Sequence, residues 1–246
     1  MTSGIRRILA HICGWMDELL FPENVLCLCC DHALGEEDEL GVCPDCRREL
    51  ARLAAGQEAQ EAAQNLPCPA GVDYVHAAFI YEGAARQLIH RLKYDGIRQA
   101  ALPLAQRMSY LPSGEEEIIV PVPTDPVRER RRGFNQSALL AEHIAKELGM
   151  QMETAVVRIR ASRPQTGLSA RERRENLAGC MAAGDVVRGR RVLLVDDVVT
   201  TGATAGEAAR ALLAAGAKSV GMFAAARAAA DGDELNDPFA PEIRKR

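Results

Sequence analysis

One fourteen-residue segment, residues 191–204, constrains this chain more than any other part of it. The segment opens with an apolar run at residues 192–195, continues with the adjacent acids Asp196 and Asp197, and closes on Thr-Thr-Gly-Ala-Thr. An uninterrupted run of valine and leucine is typical of a strand that is buried on both faces of a parallel sheet. The segment therefore predicts a buried strand that leads through a polar turn into a helix.

The turn after this strand has the chemistry of a phosphate site. Ligands of an open parallel sheet bind beyond the carboxyl ends of its strands. A helix that begins there offers unpaired backbone N–H groups and the positive end of its dipole. Gly202 allows a close approach of the backbone to the anion, and threonine hydroxyls donate further hydrogen bonds. The predicted phosphate-binding residues are Thr200, Thr201, Gly202, Ala203 and Thr204.

The two acids require a different partner from the phosphate. Asp196 and Asp197 would repel an anion, but they would accept hydrogen bonds from vicinal hydroxyls, as an acidic residue does with ribose in dinucleotide-binding folds. A sugar with a 5-phosphate satisfies both halves of the segment. A Walker B element is disfavoured because the sequence has no matching glycine-rich phosphate loop. A plain Mg²⁺ site and a threonine-rich helix cap without a ligand remain alternatives.

The remainder of the chain alternates between strand and helix patterns. Short connections between them argue for an α/β fold with a mainly parallel sheet flanked by helices. We predict an N-terminal module over residues 1–70, a main domain over residues 71–230 and a flexible tail over residues 231–246. The predicted strands are 75–81, 117–122, 154–159, 191–199 and 219–225, and the predicted helices are 84–92, 135–148 and 205–215.

Composition limits the classes of function that fit. The net charge of −4 excludes a chain that binds nucleic acid over its whole surface, so such binding would need a local basic patch. Aromatic residues make up only 4% of the chain, which disfavours a base-stacking module. No apolar run is long enough to span a membrane, and the first twenty residues lack the features of a signal peptide. We therefore expect a cytoplasmic protein whose residues 5–20 form an amphipathic helix that docks on the protein itself.

Basic residues cluster in two places near the predicted ligand edge. A run that includes Arg128 and Arg132 follows the strand at 117–122, and it fits a solvated face, a pyrophosphate clamp or a nucleic-acid contact. Residues 158–176, which include Arg163, are long and polar, as functional lids often are. Lys93 is a further cation, and on its own we interpret it as a surface lysine.

The cysteines predict a metal site. Two C-x-x-C pairs lie twelve residues apart, a spacing that is typical of four thiolates around a tetrahedral Zn²⁺. Cys29 could replace Cys27 or Cys30 as a ligand, whereas Cys68 lacks the second cysteine of a C-x-x-C pair. We interpret Cys13 and Cys180 as buried thiols. A structural zinc ion would stabilise a segment that is too small for a core of its own. The predicted ligands are Cys27, Cys30, Cys43 and Cys46.

Several segments together resemble known proteins. Residues 191–204 resemble the motif of type I phosphoribosyltransferases that binds phosphoribosyl pyrophosphate (PRPP). Residues 81–96, 120–123 and 132–137, and residues 163–169 followed by Arg173 and Asn176, resemble the ComF family, which carries a cysteine-rich zinc finger near its N-terminus. The resemblance implies a type I phosphoribosyltransferase fold with a small N-terminal zinc-binding module.

The same resemblance implies roles for individual residues. Asp196 and Asp197 would contact the ribose hydroxyls as the catalytic pair, and the turn at residues 200–204 would bind the 5-phosphate. Mg²⁺ would bridge pyrophosphate and ribose oxygens, held as much by PRPP as by the protein. Pyrophosphate release in exchange for a nitrogen nucleophile is the reaction of that class, whereas some ComF proteins take part in DNA uptake, which implies single-stranded DNA and a competence helicase as partners. The remaining implied ligand-binding residues are Pro123, Thr124, Arg132 and Arg163.

Overall fold

The computed structural model describes residues 26–35, 38–54, 68–111, 114–160 and 170–228. The predicted N-terminal amphipathic helix, Cys13, Arg163 and the tail at 231–246 lie outside these residues and stay predictions. Within the described part of the chain, every helix is too short or too polar to cross a membrane.

Five parallel strands form the central sheet, which confirms the predicted mainly parallel sheet. The strands are β1 (Tyr74–Ile80), β2 (Ile118–Pro121), β3 (Gln151–Met152), β6 (Arg191–Val199) and β7 (Ser219–Arg227). They are hydrogen-bonded in the order β1–β7–β6–β2–β3, so β6 is paired on both sides. The strand predicted at 191–199 has the observed bounds of β6.

Helices cover both faces of this sheet. The alternating side chains of β6 show the two layers, because Leu193 and Val195 pack into one buried cluster and Val192 and Leu194 pack into the other. The helices of the first layer are α1 (Pro44–Leu53), α2 (Gly83–His90), α3 (Ala101–Ser109) and α5 (Gln136–Leu148). The second layer holds α7 (Ala203–Ala214), and the short basic helix α4 (Pro126–Arg132) follows β2.

Local capping explains where α4 and α5 begin and end. The Asp125 carboxylate accepts hydrogen bonds from two N–H groups in the first turn of α4. The Asn135 side chain does the same for α5, and Gly149 ends that helix with a left-handed φ of 64°. The helix predicted at 135–148 is thereby confirmed, with Asn135 as its cap.

A separate antiparallel hairpin lies outside the main sheet. The strand predicted at 154–159 is β4 (Val156–Arg158), which pairs with β5 (Met181–Ala183). Glu207 of α7 is buried and accepts hydrogen bonds from the Met181 N–H and from Arg210, and Arg210 also donates to the Met181 carbonyl. This contact fixes the hairpin against the helix that follows the predicted phosphate turn.

Three local structures differ from the sequence predictions. The helix predicted at 84–92 stops at His90 and continues as one wide π-helical turn, Arg91–Asp95, which Gly96 ends at a φ of 72°. The polar stretch at 158–176 contains a helix, α6 (Ala170–Leu177). Helix α3 was not predicted, because its apolar spacing is interrupted by Pro103 and Gln106.

Candidate functional site

The acidic pair lies at the carboxyl end of β6, as predicted. Asp196 Oδ1 accepts hydrogen bonds from Ser137 Oγ at 2.8 Å and from the Asp197 N–H at 2.9 Å. Burial, together with the neighbouring charge of Asp197, raises the pKa of Asp196 to about 7. Ser137 reaches this position because it lies in the first turn of α5, which begins beside the end of β6. The pair therefore combines one carboxyl group that readily holds a proton with one carboxylate.

Lys93 pairs with Asp197, and the pKa of Arg132 responds to the charge of Asp197. Lys93 Nζ lies 3.1 Å from Asp197 Oδ1, and the two side chains are only 13% and 12% exposed. The interpretation of Lys93 as a surface lysine is therefore wrong, because the π-helical turn carries its side chain inward. Arg132 stacks over the Tyr94 ring at 5.4 Å, and burial lowers its pKa while the charge of Asp197 opposes that shift.

The turn at residues 200–204, predicted to bind a phosphate, leads from β6 into α7. Gly202 directly precedes α7, and its φ of 68° is in the left-handed region that glycine adopts without strain. A Cβ atom at this position would lie 2.5 Å from Cγ of Pro69, so glycine is also needed for close packing. The Thr200, Thr201 and Thr204 side chains are half-buried. Three hydroxyl-bearing residues therefore lie next to the N-terminus of a twelve-residue helix.

Pro123 and Thr124 lie just beyond the end of β2, next to β6. Thr124 Oγ1 lies 3.0 Å from Asn135 Oδ1 and 3.1 Å from Gln136 Oε1, so the turn is fixed to the start of α5. A cleft of about 310 Å³ opens here, and it is lined by Pro123 and Thr124 together with Arg98, Phe134 and Arg158. None of the residues from Asp196 to Thr204 lines this cleft, so the cavity lies beside the acidic pair and not over it.

In the basic segments, some arginines are exposed to solvent and others contact the rest of the protein. Arg128, Arg130 and Arg131 of α4 are exposed, whereas Arg132 is half-buried against Tyr94. Arg160 donates to the carbonyls of Ala178 and Gly179, which joins the two ends of the segment that separates β4 from β5.

The four predicted cysteine ligands come together. Their sulfur atoms all lie within 4.8 Å of one another, and the sulfurs of Cys30 and Cys43 are 3.7 Å apart. Thiolates around a tetrahedral zinc ion are separated by about 3.8 Å, given Zn–S bonds of about 2.3 Å. The residues Cys27, Cys30, Cys43 and Cys46 therefore fit a metal such as zinc.

The positions of the sulfur atoms separate these ligands from Cys29, whose sulfur is outside the metal group. Burial opposes ionisation of Cys27, but the backbone N–H groups of Cys43, Cys29 and Cys30 outweigh it and lower the pKa of Cys27 to about 6. Burial raises the pKa of both Cys29 and Cys46, so ionisation does not distinguish Cys29 from a ligand. The metal group includes neither Cys29 nor Cys68, and Cys180 is a buried thiol as predicted.

Comparison with known proteins agrees with this architecture. The phosphoribosyl transferase domain matches residues 135–239, which contain α5, the acidic pair and the phosphate turn. Together with the parallel sheet, this match defines the class: a phosphoribosyltransferase-type fold that carries a cysteine cluster near its N-terminus.

The more specific relationship comes from whole-length relatives. The DNA utilization protein YhgH of Salmonella typhi is 32% identical over 213 residues, which cover 82% of this chain and 90% of the relative. The competence protein ComFC of Streptococcus pneumoniae is 31% identical over 220 residues, which cover 85% and 91%. This chain belongs to the ComF family. The solved allosteric regulatory enzyme of purine biosynthesis is 23% identical with a TM-score of 0.39, covering 52% of this chain and 26% of that one.

The cysteine cluster predicts a specific loss of metal. We expect about one zinc ion per purified chain, and we expect Cys30→Ser to abolish it because three thiolates leave the tetrahedron incomplete. Metal content is measured by plasma mass spectrometry. Cys29→Ser is the matched control and should keep its zinc, and equal loss from both variants would contradict the assignment.

The raised pKa of Asp196 predicts a pH-dependent stability. The folded protein binds this proton more tightly than the unfolded chain, whose carboxyl pKa is about 4. Stability is therefore lost as the pH rises from about 4 through about 7, and Asp196→Asn should remove this loss while keeping an oxygen for Ser137. The free energy of unfolding is measured with urea at pH 4.5 and pH 8. Relative to the wild type, the variant should be more stable at pH 8 than at pH 4.5. Asp185→Asn, at an 83% exposed carboxylate, is the control, and an equal gain there would refute the burial account.

Proposed function

We propose that this protein binds PRPP or a related ribose 5-phosphate at the carboxyl end of β6. The proposal depends on one observation: the central strand carries a half-buried Asp196 beside a buried Asp197, and it leads directly into a glycine-containing turn before a long helix. Asp196 and Asp197 bind the two vicinal hydroxyls, and residues 200–204 bind the 5-phosphate. Pro123 and Thr124 lie at the end of the neighbouring strand, in reach of the group at C1 of the sugar.

The protonation of the acidic pair supports a neutral ligand at this point. A carboxyl group with a pKa of about 7 is half protonated at neutral pH, and it can donate a hydrogen bond as well as accept one. Sugar hydroxyls also do both, so the pair is suited to hydroxyl recognition. Mg²⁺, where it takes part, accompanies the pyrophosphate group of the ligand.

Phosphoribosyl transfer is the activity that this site would support. The bond from C1 to pyrophosphate breaks, and a nitrogen nucleophile bonds to C1. The lid that would exclude water is the segment between β4 and β5, which contains Arg163, and its base is held by the Arg160 and Glu207 contacts. The 310 Å³ cleft beside Thr124 is of a size that suits a small acceptor.

A second candidate function is a role in DNA uptake, with the fold used as a binding module. Two observations favour it: relatives are named DNA utilization and competence proteins, and α4 presents Arg128, Arg130 and Arg131 to solvent. Single-stranded DNA would contact this basic face, and a helicase would be the protein partner. The zinc-binding module would then be structural and could present a surface to that partner. Four clustered cysteines that fit a metal suit a reducing, cytoplasmic location.

Ligand binding at the acidic pair is testable by thermal melting. PRPP with MgCl₂ at about 100 times its dissociation constant should stabilise the wild type by about 3 kcal/mol, which raises Tm by roughly 5–10 °C. The double variant Asp196→Asn, Asp197→Asn should lose most of this shift because it cannot accept hydrogen bonds through charged oxygens. Asp185→Asn should keep the shift. An unchanged Tm of the wild type under saturating PRPP would remove the proposal.

DNA binding is testable by fluorescence anisotropy with a labelled single-stranded oligonucleotide. Changing Arg128, Arg130 and Arg131 to glutamine should weaken binding and reduce the slope of log K against log salt by about 2, because each phosphate contact contributes roughly 0.7. The matched control neutralises Arg188, Arg190 and Lys218, three cations near the opposite ends of the strands. Binding that is insensitive to salt, or that both triple variants reduce equally, would exclude α4 as the DNA-binding face.

A further inference from the structure

The cysteine module, residues 26–35 and 38–54, is joined directly to the main domain. Its buried cysteines belong to the same hydrophobic cluster as Leu92 of the π-helical turn. At the end of α1, Ala54 forms an antiparallel β-bridge with Phe79 of β1. The module and the π-helical turn therefore share one close-packed interior, and such interiors transmit strain.

One ion pair links the first pair of ligand cysteines to that turn. Arg91, the first residue of the turn, has its Nη2 atom 2.5 Å from Asp31 Oδ2, and the Arg91 side chain is only 21% exposed. Asp31 directly follows Cys30 and has a left-handed φ of 58°, which aspartate tolerates better than most residues do. Its N–H group donates to the carbonyl of Cys27 at 3.1 Å. The position of Asp31 is therefore set by the loop that carries the two ligand cysteines.

The same turn contacts the acidic pair. Lys93 comes two positions after Arg91, and its Nζ atom lies 3.1 Å from Asp197 Oδ1. The turn Arg91–Asp95 is π-helical, a rare form that occurs mostly as single turns and often at functional sites. One short turn of backbone therefore separates the contact with the cysteine module from the contact with the acidic pair, so the position of Arg91 affects that of Lys93.

We infer that Asp31 is a positioning residue that couples the cysteine metal site to the acidic pair. A bound metal fixes the loop between the first two ligand cysteines, and Asp31 in turn fixes Arg91 at the start of the π-helical turn. An ordered turn leaves less conformational freedom to be lost when a ligand binds. This inference rests on the proposed function and deepens it: the affinity for a ribose phosphate depends on whether the cysteine site holds its metal. By thermodynamic linkage, the ligand raises the affinity for the metal by the same factor.

Amine acetylation of Lys93 tests this coupling without any ligand. The labelling rate is followed by mass spectrometry in the wild type, in Asp31→Asn and in Asp45→Asn, each with zinc and after its removal by a chelator. Asparagine tolerates the left-handed backbone of position 31 but lacks the charge that holds Arg91. Asp45→Asn is the matched control, because Asp45 also adjoins a ligand cysteine and pairs with Arg48 at the exposed surface of the module.

The expected labelling rates follow from the loss of one contact. With zinc bound, Asp31→Asn should raise the rate at Lys93 about two- to fivefold, the effect of losing a partly exposed ion pair. Removal of zinc should raise the rate in the wild type, and by a smaller factor in Asp31→Asn, because both changes act through the same contact. Asp45→Asn should match the wild type. The buried thiol of Cys180 should stay unreactive in all samples, which shows that the main domain is folded.

Competition for zinc with a chromogenic chelator tests the effect of the ligand. PRPP with MgCl₂ should raise the zinc affinity of the wild type and of Asp45→Asn about two- to fivefold, and it should leave that of Asp31→Asn unchanged. The double variant Asp196→Asn, Asp197→Asn corrects for zinc that PRPP itself binds in solution. Calorimetric titration of the zinc-loaded proteins with PRPP, run in parallel, should give an affinity about two- to fivefold weaker for Asp31→Asn than for the wild type.

The possible results have distinct meanings. Equal labelling of Lys93 in all three proteins, with and without zinc, would overturn the inference whether or not PRPP binds. Exposure of Cys180 together with Lys93 would also overturn it, because the metal would then hold the fold as a whole. A wild type that binds PRPP without any change in zinc affinity would exclude the coupling. If the wild type binds no PRPP, the proposed function fails, whereas the labelling rates still decide whether Asp31 positions the turn.

Discussion

The structure depends on the burial of β6 on both faces. Its side chains alternate between two helical layers, and its backbone is paired with β7 on one side and β2 on the other. A strand held in this way has no freedom of register, because a slip by one residue would exchange the two buried faces. The strand therefore places Asp196 and Asp197, near its carboxyl end, at a fixed point of the sheet. The site takes its geometry from the packing of the four buried aliphatic residues that precede the acids.

The electrostatics at that edge follow from the same burial. A carboxyl pair in water would be fully ionised at neutral pH, but here the loss of solvent and the proximity of the two groups raise the pKa of Asp196 to about 7. Lys93 Nζ lies 3.1 Å from Asp197 Oδ1, and the charge of Asp197 opposes the lowering of the Arg132 pKa by burial. The residues in these contacts come from the π-helical turn, from α4, from the start of α5 and from β6. The site thus joins segments that are far apart in the sequence.

Several parts of this arrangement could be predicted from residues alone because their causes are local. The bounds of β6, the Asn135 cap of α5 and the left-handed Gly202 each follow from a short pattern and from backbone sterics. The four cysteines follow from ligand spacing, but spacing alone left Cys29 as an alternative. Only the folded positions of the sulfurs excluded it. The helix α3 and the split of 84–96 into an α-helix and a π turn had no local pattern strong enough to predict them.

The amino-acid sequence by itself determined the class of fold, the place of the acidic pair, the turn before α7 and the four clustered cysteines, since each depends on residues that are close along the chain. Tertiary structure decided which cations face the acids. In the sequence Lys93 looked like an ordinary surface lysine, because the carboxylate that it contacts, Asp197, lies 104 positions further along the chain. Tertiary structure also decided that the open cleft lies beside the acids, against Thr124 and Phe134. The burial and the electrostatic environment of a site depend on residues from distant segments of the chain, so a short stretch of sequence does not reveal them.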